Sequence, residues 1–340
     1  MIRTLRRIAL ALAALLAALP AGAVFRAYVS SAGSDANPCT LPAPCRLLPA
    51  ALAAVDDGGE VWMLDSANYN TGNVAISKGV TILAIPGAVG SLVGTGGGSA
   101  ITVQAGTKTV NLRNLVIVGL GTSQWGVEFL SGSHLDIADC EIANLQAGGL
   151  NATAPNGKLT VVRTALRNNG IAASGPGAMV SGSVTAAFAD VQFRGNDIGL
   201  LASDGAKVAV KDSHFTGNRL YGLMAAGDLA NVRLALDNTV LTGSGSINLF
   251  ARAGLSGVTA HATVQRSVVT GAPIGIDLIQ APGAALTVEL SDTLVANNTQ
   301  SGVLVQSGTP LIYTRGNNAI EFNGTNADVV GGTLTARAGR

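Results

Sequence analysis

Eight apolar residues, Leu112, Ile137, Val161, Phe188, Val210, Leu236, Val264 and Leu290, recur along the chain at steps of 22 to 28 residues. A repeat of about 25 residues marks a solenoid, in which each unit buries its apolar face only against its neighbours. The stretch around Val210 shows what one unit holds. Val208 and Val210 alternate with Ala209 and Lys211, the period of 2 of a half-buried strand. Asp212-Ser213 breaks that strand, and His214 and Phe215 form a second. Gly217-Asn218 then turns the chain, and Gly222 to Ala225 begin a third strand. Three strands per unit predict an all-β solenoid of three parallel sheets, with about eight to ten coils. Asn169, Asn196, Asn218 and Asn298 fall at one turn position, where stacked amides can bond from rung to rung.

The two ends of the chain read differently from the repeats. Residues 1–23 have the outline of a secretory signal: Arg3, Arg6 and Arg7, an apolar run from Ile8 to Leu19, and Ala21-Gly22-Ala23 as a cleavage site. That predicts a secreted or periplasmic protein, and no later run of about 18 apolar residues offers a transmembrane anchor. Without the three arginines, 18 basic residues face 20 acidic ones. Such a chain lacks the clustered cations a nucleic-acid surface requires. Residues 24–59 read as an N-terminal cap holding a short helix, Pro49 to Val55, which Asp56-Asp57-Gly58-Gly59 ends. Its role is to cover the exposed end of the stack. Cys39 and Cys45 stand six positions apart in the loop NPCTLPAPC and are expected to form a disulfide, while Cys140 is expected to be a packed, inert thiol. The solenoid then runs over residues 60–335, with 336–340 as a frayed tail.

The order Tyr28-Val29-Ser30, Gly33-Ser34-Asp35, Asn37-Pro38, Pro44, Arg46, a helix, Gly58-Gly59 and a Val61-Trp62-Met63-Leu64 strand resembles the N-terminus of secreted right-handed parallel β-helix proteins of the pectate-lyase-like superfamily. The repeats resemble that superfamily's coils, and together the two cover roughly Tyr28 to Leu334. The resemblance implies the fold and leaves the activity open, because the superfamily includes lyases, hydrolases, epimerases, adhesins and coils without known chemistry. It also implies a substrate groove along the outward face of the strand that begins with a Gly-apolar pair. The outward column there reads Glu128, Asn151, Leu201, Met224, Asn248 or Phe250, Asp277 and Leu304. Glu128 and Asp277 are six rungs apart, about 29 Å at 4.8 Å per rung, too far for an acid–base pair, which sits within about 10 Å. Leu201, Met224, Ile279 and Leu304 would form an apolar stripe on this face, suited to a partner more than to a charged polysaccharide.

A second column lies two residues after each anchor: Asn114, Asp139, Arg163, Asp190, Asp212, Asn238, Arg266 and Asp292. Charges mostly alternate up it, so Asp139, Arg163 and Asp190 are expected to pair across rungs, as are Arg266 and Asp292. Asp190 and Asp212 break the alternation, and two carboxylates one rung apart either raise one pKa or recruit a cation. Any catalytic or calcium site in this chain is therefore expected at Asp190 and Asp212, with His214 and Lys211 beside them and Arg194 and Arg219 near in sequence. The leading expectation is a protein with no catalytic residue, metal or cofactor, acting as a binding or structural surface for a polysaccharide or cell-surface partner. The alternative is a polysaccharide lyase, glycoside hydrolase or epimerase. His134 and His261, without a second ligand at metal spacing, read as surface residues.

Overall fold

A computed structural model describes residues 24–170, 175–324 and 328–337. The signal sequence expected over 1–23 and the tail end 338–340 lie outside the described residues. Each coil runs through three strands in turn, one in each of three parallel sheets: sheet A with 13 strands, and sheets B and C with 11 each. Sheet A extends from Val24–Val29 to Leu334–Ala336, sheet B from Ala67–Thr71 to Ala319–Glu321, and sheet C from Val74–Ile76 to Val329–Val330.

The apolar anchors stack without a slip. In sheet A, Leu112 pairs with Ile137, Ile137 with Val161, Val161 with Phe188, Phe188 with Val210, Val210 with Leu236, Leu236 with Val264 and Val264 with Leu290. All eight are buried, because a side-chain period of 2 leaves only one register that sends every apolar residue inward. Phe193 and Phe215, on neighbouring rungs of sheet B, stack inside the coil with ring centroids 4.4 Å apart.

Two tight corners bend each coil. All eight residues of the column from Asn114 to Asp292, between sheets A and B, have positive φ, from 45° at Arg163 to 58° at Asp139. This left-handed conformation explains the excess of Asn and Asp, whose short polar side chains tolerate it best. The next residue points inward, and its hydroxyl closes the corner: Thr164, Ser213, Thr239, Ser267 and Thr293 each bond the carbonyl two residues before, at 2.7–3.0 Å. Cys140 occupies this same position, with Sγ 3.2 Å from Ala138 O and the Leu115 N–H donating to it. Burial pushes the thiol's pKa up to about 12, so it stays protonated and inert.

At the turn from sheet B to sheet C, the amides stack as expected. Asn169 Nδ2 donates to Asn196 Oδ1 at 3.1 Å, Asn196 to Asn218 at 3.2 Å, and Asn298 to Asn323 at 2.9 Å. Between Asn218 and Asn298 the same position holds Ser244 and Ala272, and Asn248 fills the gap. Its Oδ1 accepts the Ser244 N–H at 3.3 Å and its Nδ2 reaches Thr270 O at 2.8 Å. Beneath each ladder asparagine that slot is glycine for a steric reason, since a Cβ at Gly149, Gly177 or Gly199 would lie 2.8–3.0 Å from a ladder amide. Asn248 has room because the residue at the ladder position of the next coil is Ala272, which carries no amide.

The cap departs from expectation in detail. The helix spans Leu48–Ala54 and packs on the first strands of all three sheets, burying Leu48, Ala51 and Leu52. Asp56 to Gly59 do not form a separate stop. They belong to the strand Val55–Met63, in which Gly58 at φ 83° absorbs a register shift against Val24–Val29. Cys39 and Cys45 are bonded, and the loop they close is tied to Tyr28 by backbone bonds of 2.8 and 2.9 Å. The tail expected to fray from 336 is held as far as Arg337: Ala336 pairs with Thr314, and the Arg337 guanidinium bonds Glu289 and lies 4.8 Å from the Tyr313 ring centroid.

Candidate functional site

The outer face of sheet C presents one continuous column, in which Glu128, Asn151, Met179, Leu201, Met224, Phe250, Asp277 and Leu304 pair rung to rung. Two assignments from the sequence change. Phe250, not Asn248, is the outward residue, because Asn248 turns into the amide ladder. Ile279 leaves the stripe, being paired with Arg252 in the adjacent column, and Met179 joins it. Met179, Leu201, Met224 and Phe250 thus form an unbroken apolar run over four rungs, flanked by Ile198, Tyr221 and Ile247 on one side. The Tyr221 and Phe250 rings stack at 5.5 Å.

The two carboxylates of this column have unlike surroundings. Glu128 accepts hydrogen bonds from the Ser99 hydroxyl at 2.5 Å and from Asn151 Nδ2 at 3.5 Å. Asp277, between Phe250 and Leu304, is 0% exposed. Gln306 Nε2 bonds its Oδ2, and Oδ1 has no partner among the described residues. Burial pushes the Asp277 pKa up to about 6, against the pull of the Gln306 amide and the Leu278 N–H. A carboxyl sealed in this way does not touch a molecule lying in the groove.

Asp190, Asp212, Lys211 and His214 come together only as a solvated corner. Asp190 and Asp212 occupy successive rungs, both at the left-handed position, and all four residues are exposed. Asp212 accepts from Asn238 Nδ2 at 2.6 Å and lies 3.7 Å from Lys211 Nζ. His214 stands on the outer face of sheet B, paired in register with Gln192 and Val240. Arg194 and Arg219 belong to other positions, and Arg219 makes a bidentate pair with the fully buried Asp197. Among the described residues no group of three or more His, Cys, Asp or Glu converges. Millimolar calcium is expected to leave the melting temperature of the wild-type protein unchanged, and Asp190→Asn with Asp212→Asn to leave it unchanged or slightly raised. Thermal melts with and without calcium check this, and a calcium-dependent rise lost in the double variant would establish a cation there.

Lower in the same corner, Asp139, Glu141, Arg163 and Asp190 line a concavity of about 470 Å³. Arg163 pairs with Asp139 through two bonds of 2.6 and 2.8 Å and makes none with Asp190. Arg266 does not pair upward with Asp292, because its side chain turns down to Asp237. Cross-rung partners hidden by sequence separation also revise the histidines. His261 Nε2 lies 3.6 Å from Glu289 on the next rung, and His134 Nε2 is 2.9 Å from Thr160 Oγ1. Arg252 is the largest omission from the sequence reading. It stands on the outer face of sheet C and pairs with Asp228, 24 residues away. Only the register Ala226–Arg252–Ile279 brings it to light.

Residues 68–240, half of the chain, match the family model described as right handed beta helix region, and the chain belongs to that family. The fold is that of the pectate-lyase-like superfamily. A polygalacturonase from Erwinia carotovora ssp. carotovora superposes with a TM-score of 0.59 at 12% identity, over 94% of this chain and 98% of that one. A pectate lyase gives 0.57 at 15% identity, over 88% and 80%. The tailspike protein 2 of Escherichia coli O157:H7 bacteriophage CAB120 gives 0.54 at 12% identity, where the match covers 83% of this chain and only 43% of the tailspike. No curated protein matches the chain in sequence. At these identities the likeness is one of fold. Among the described residues no helix is long and apolar enough to cross a membrane.

Proposed function

We propose that this protein is an exported, non-catalytic β-helix that binds a cell-surface partner, glycan or protein, along the outer face of sheet C. The observation that carries this reading is the apolar run Met179, Leu201 and Met224, partly exposed on three successive rungs and continued by the buried Phe250, on the face where the resemblance to the superfamily implies a groove. Partly exposed apolar side chains stacked over successive rungs form a surface that a partner can cover. Sugar rings offer flat C–H faces that can lie on such a column, and so do apolar side chains of a protein.

The two carboxylates support the same reading. Asp277 is sealed and Glu128 is six rungs away, so neither has a partner for proton transfer across a bound glycan. The test is a panel of uronate and neutral polysaccharides incubated with the mature protein, read for both retention and turnover. Retention on at least one polysaccharide or cell-envelope fraction is expected, lost in the Leu201→Asp/Met224→Asp double variant, with no unsaturated product and no new reducing ends. Accumulation of either product would make the protein an enzyme of the kind its fold relatives are named for and would sink the binding-only reading.

A further inference from the structure

We infer that the corner where sheet C turns into sheet A seats on an anionic phospholipid bilayer, with Leu229 and Leu255 entering the lipid and Lys158, Lys207 and Arg233 meeting its phosphates. Leu229 lies in the turn between the sheet C strand Tyr221–Gly227 and the sheet A strand Val232–Asp237. Leu255 lies in the next turn, between Ile247–Ala253 and Thr259–Gln265. They are 78% and 50% exposed, and Leu229 is the most exposed large apolar side chain among the described residues. The turns that carry them are held in place. Asp204, one coil below, accepts the backbone N–H groups of Asp228, Leu229 and Ala230 at 2.7–3.3 Å. In the next turn the Gly254 and Gly257 N–H groups donate to Gly227 O and Gly283 O at 2.7 and 2.8 Å.

Beside this corner, on the outer face of sheet A, Lys158, Thr185, Lys207, Arg233 and His261 form one column in register. A full coil separates each from the next, so their clustering does not show in the sequence. Lys158, Lys207 and Arg233 are exposed, and among the described residues none of the three makes a salt bridge. The carboxylates of the same face are neutralised: Asp136 lies by Arg113, Asp237 by Arg266 and Glu289 by Arg337. At the corner itself Asp228 is paired with Arg252. The neighbouring column holds the exposed Ala209 and Ala235, and a shallow concavity of about 290 Å³ opens over them, lined also by Lys207 and Arg233.

Apolar tips beside unpaired cations match the layers of a bilayer. An interfacial apolar group enters about 5–10 Å, to the boundary of headgroups and acyl chains, while Lys and Arg stay among the phosphates. Leu229 stands at the corner and Arg233 follows it by four residues on the adjoining face. A coil tilted corner-down therefore brings both kinds of group to their own depth together. An acidic protein would have to supply carboxylates and, separately, a pocket for each leucine, whereas a bilayer offers both in one plane. None of these residues belongs to the apolar column of sheet C, so the inference stands whatever that column binds.

Co-sedimentation of the mature protein with vesicles of phosphatidylglycerol and phosphatidylcholine in equal parts, and with vesicles of phosphatidylcholine alone, tests the inference. Binding is expected to the anionic vesicles only, and to weaken as salt is raised. Lys207→Gln/Arg233→Gln should weaken it about 25-fold, at about fivefold for each cation beside an anionic leaflet. Leu229→Ser/Leu255→Ser should weaken it about tenfold or more. All four positions are exposed, so melting temperatures should not move. Leu229→Trp should add an emission that shifts to the blue on binding, and Leu201→Asp/Met224→Asp should bind the vesicles as the wild type does. No binding to anionic vesicles at low salt, equal binding to neutral ones, or full affinity in either the cation or the leucine double variant would each overturn it. So would a Leu229→Trp emission that stays at the wavelength of water-exposed indole in the bound state.

Discussion

Asn196→Ala is expected to destabilise the protein by about 3–5 kcal/mol, with the far-ultraviolet spectrum of the folded state unchanged. The side chain is fully buried and uses both ends of its amide. Nδ2 donates to Leu166 O at 2.9 Å and to Asn218 Oδ1 at 3.2 Å, while Oδ1 accepts from the Asn169 backbone N–H at 3.0 Å and from Asn169 Nδ2 at 3.1 Å. Alanine removes these bonds and strands the partners in a space closed to water. The loss should exceed that of a surface Asn→Ala several-fold and appear as a lower denaturant midpoint. The chain's own gap shows that the ladder position needs an amide: where Ser244 and Ala272 stand in it, Asn248 supplies the missing groups from a slot that is glycine beneath each ladder asparagine. A midpoint unchanged in Asn196→Ala would mean that the stacked amides contribute nothing beyond packing.

Asp277→Asn is expected to act in the opposite direction, stabilising the protein above pH 7 by up to about 3 kcal/mol. The folded pKa of about 6 lies above the ordinary aspartate value of 3.8, so the native state holds the proton more tightly than the unfolded chain does. Stability from this group is full below about pH 4 and is lost as the pH rises through 6, because the buried carboxyl must then ionise beside Phe250 and Leu304. Asparagine keeps the shape, can still meet Gln306, and never ionises. Wild type and variant should therefore melt alike near pH 4 and diverge up to about pH 7, after which the gap is constant. Equal melting temperatures across that range would show that Oδ1 is solvated.

These two sites differ in how far the sequence disclosed them. The ladder Asn169, Asn196, Asn218 and the anchors around Val210 were legible because each coil repeats the same spacing from strand to turn. The corner column was legible as a column but not as a conformation, and Arg163 and Arg266 give no hint in sequence of their positive φ. The outer face of sheet C was read less well. One residue separates Asn196 from the start of its sheet C strand at Ile198, while two separate Asn218 from Tyr221 and Ser244 from Ile247. That variation left Asn248 and Phe250 as rivals and let Ile279 into the wrong column. The burial of Asp277 and the pairing of Arg252 with Asp228 depend on neighbours a full coil away, which no local pattern reports.

The backbone bonds that join coil to coil all run parallel to the long axis, since every pairing is between like strands of successive coils. A pull applied end to end therefore loads those bonds directly, and the terminal coil is the one that gives way, because it alone has a neighbour on one side only. Each coil that peels off frees a mean of about 25 residues, roughly 80 Å of extended chain, in place of one rung of about 4.8 Å. Held at one end and tugged at the other, such a molecule behaves as a stiff rod until a coil parts, and then as a tether that lengthens in coil-sized increments while the remaining coils keep their outer faces intact.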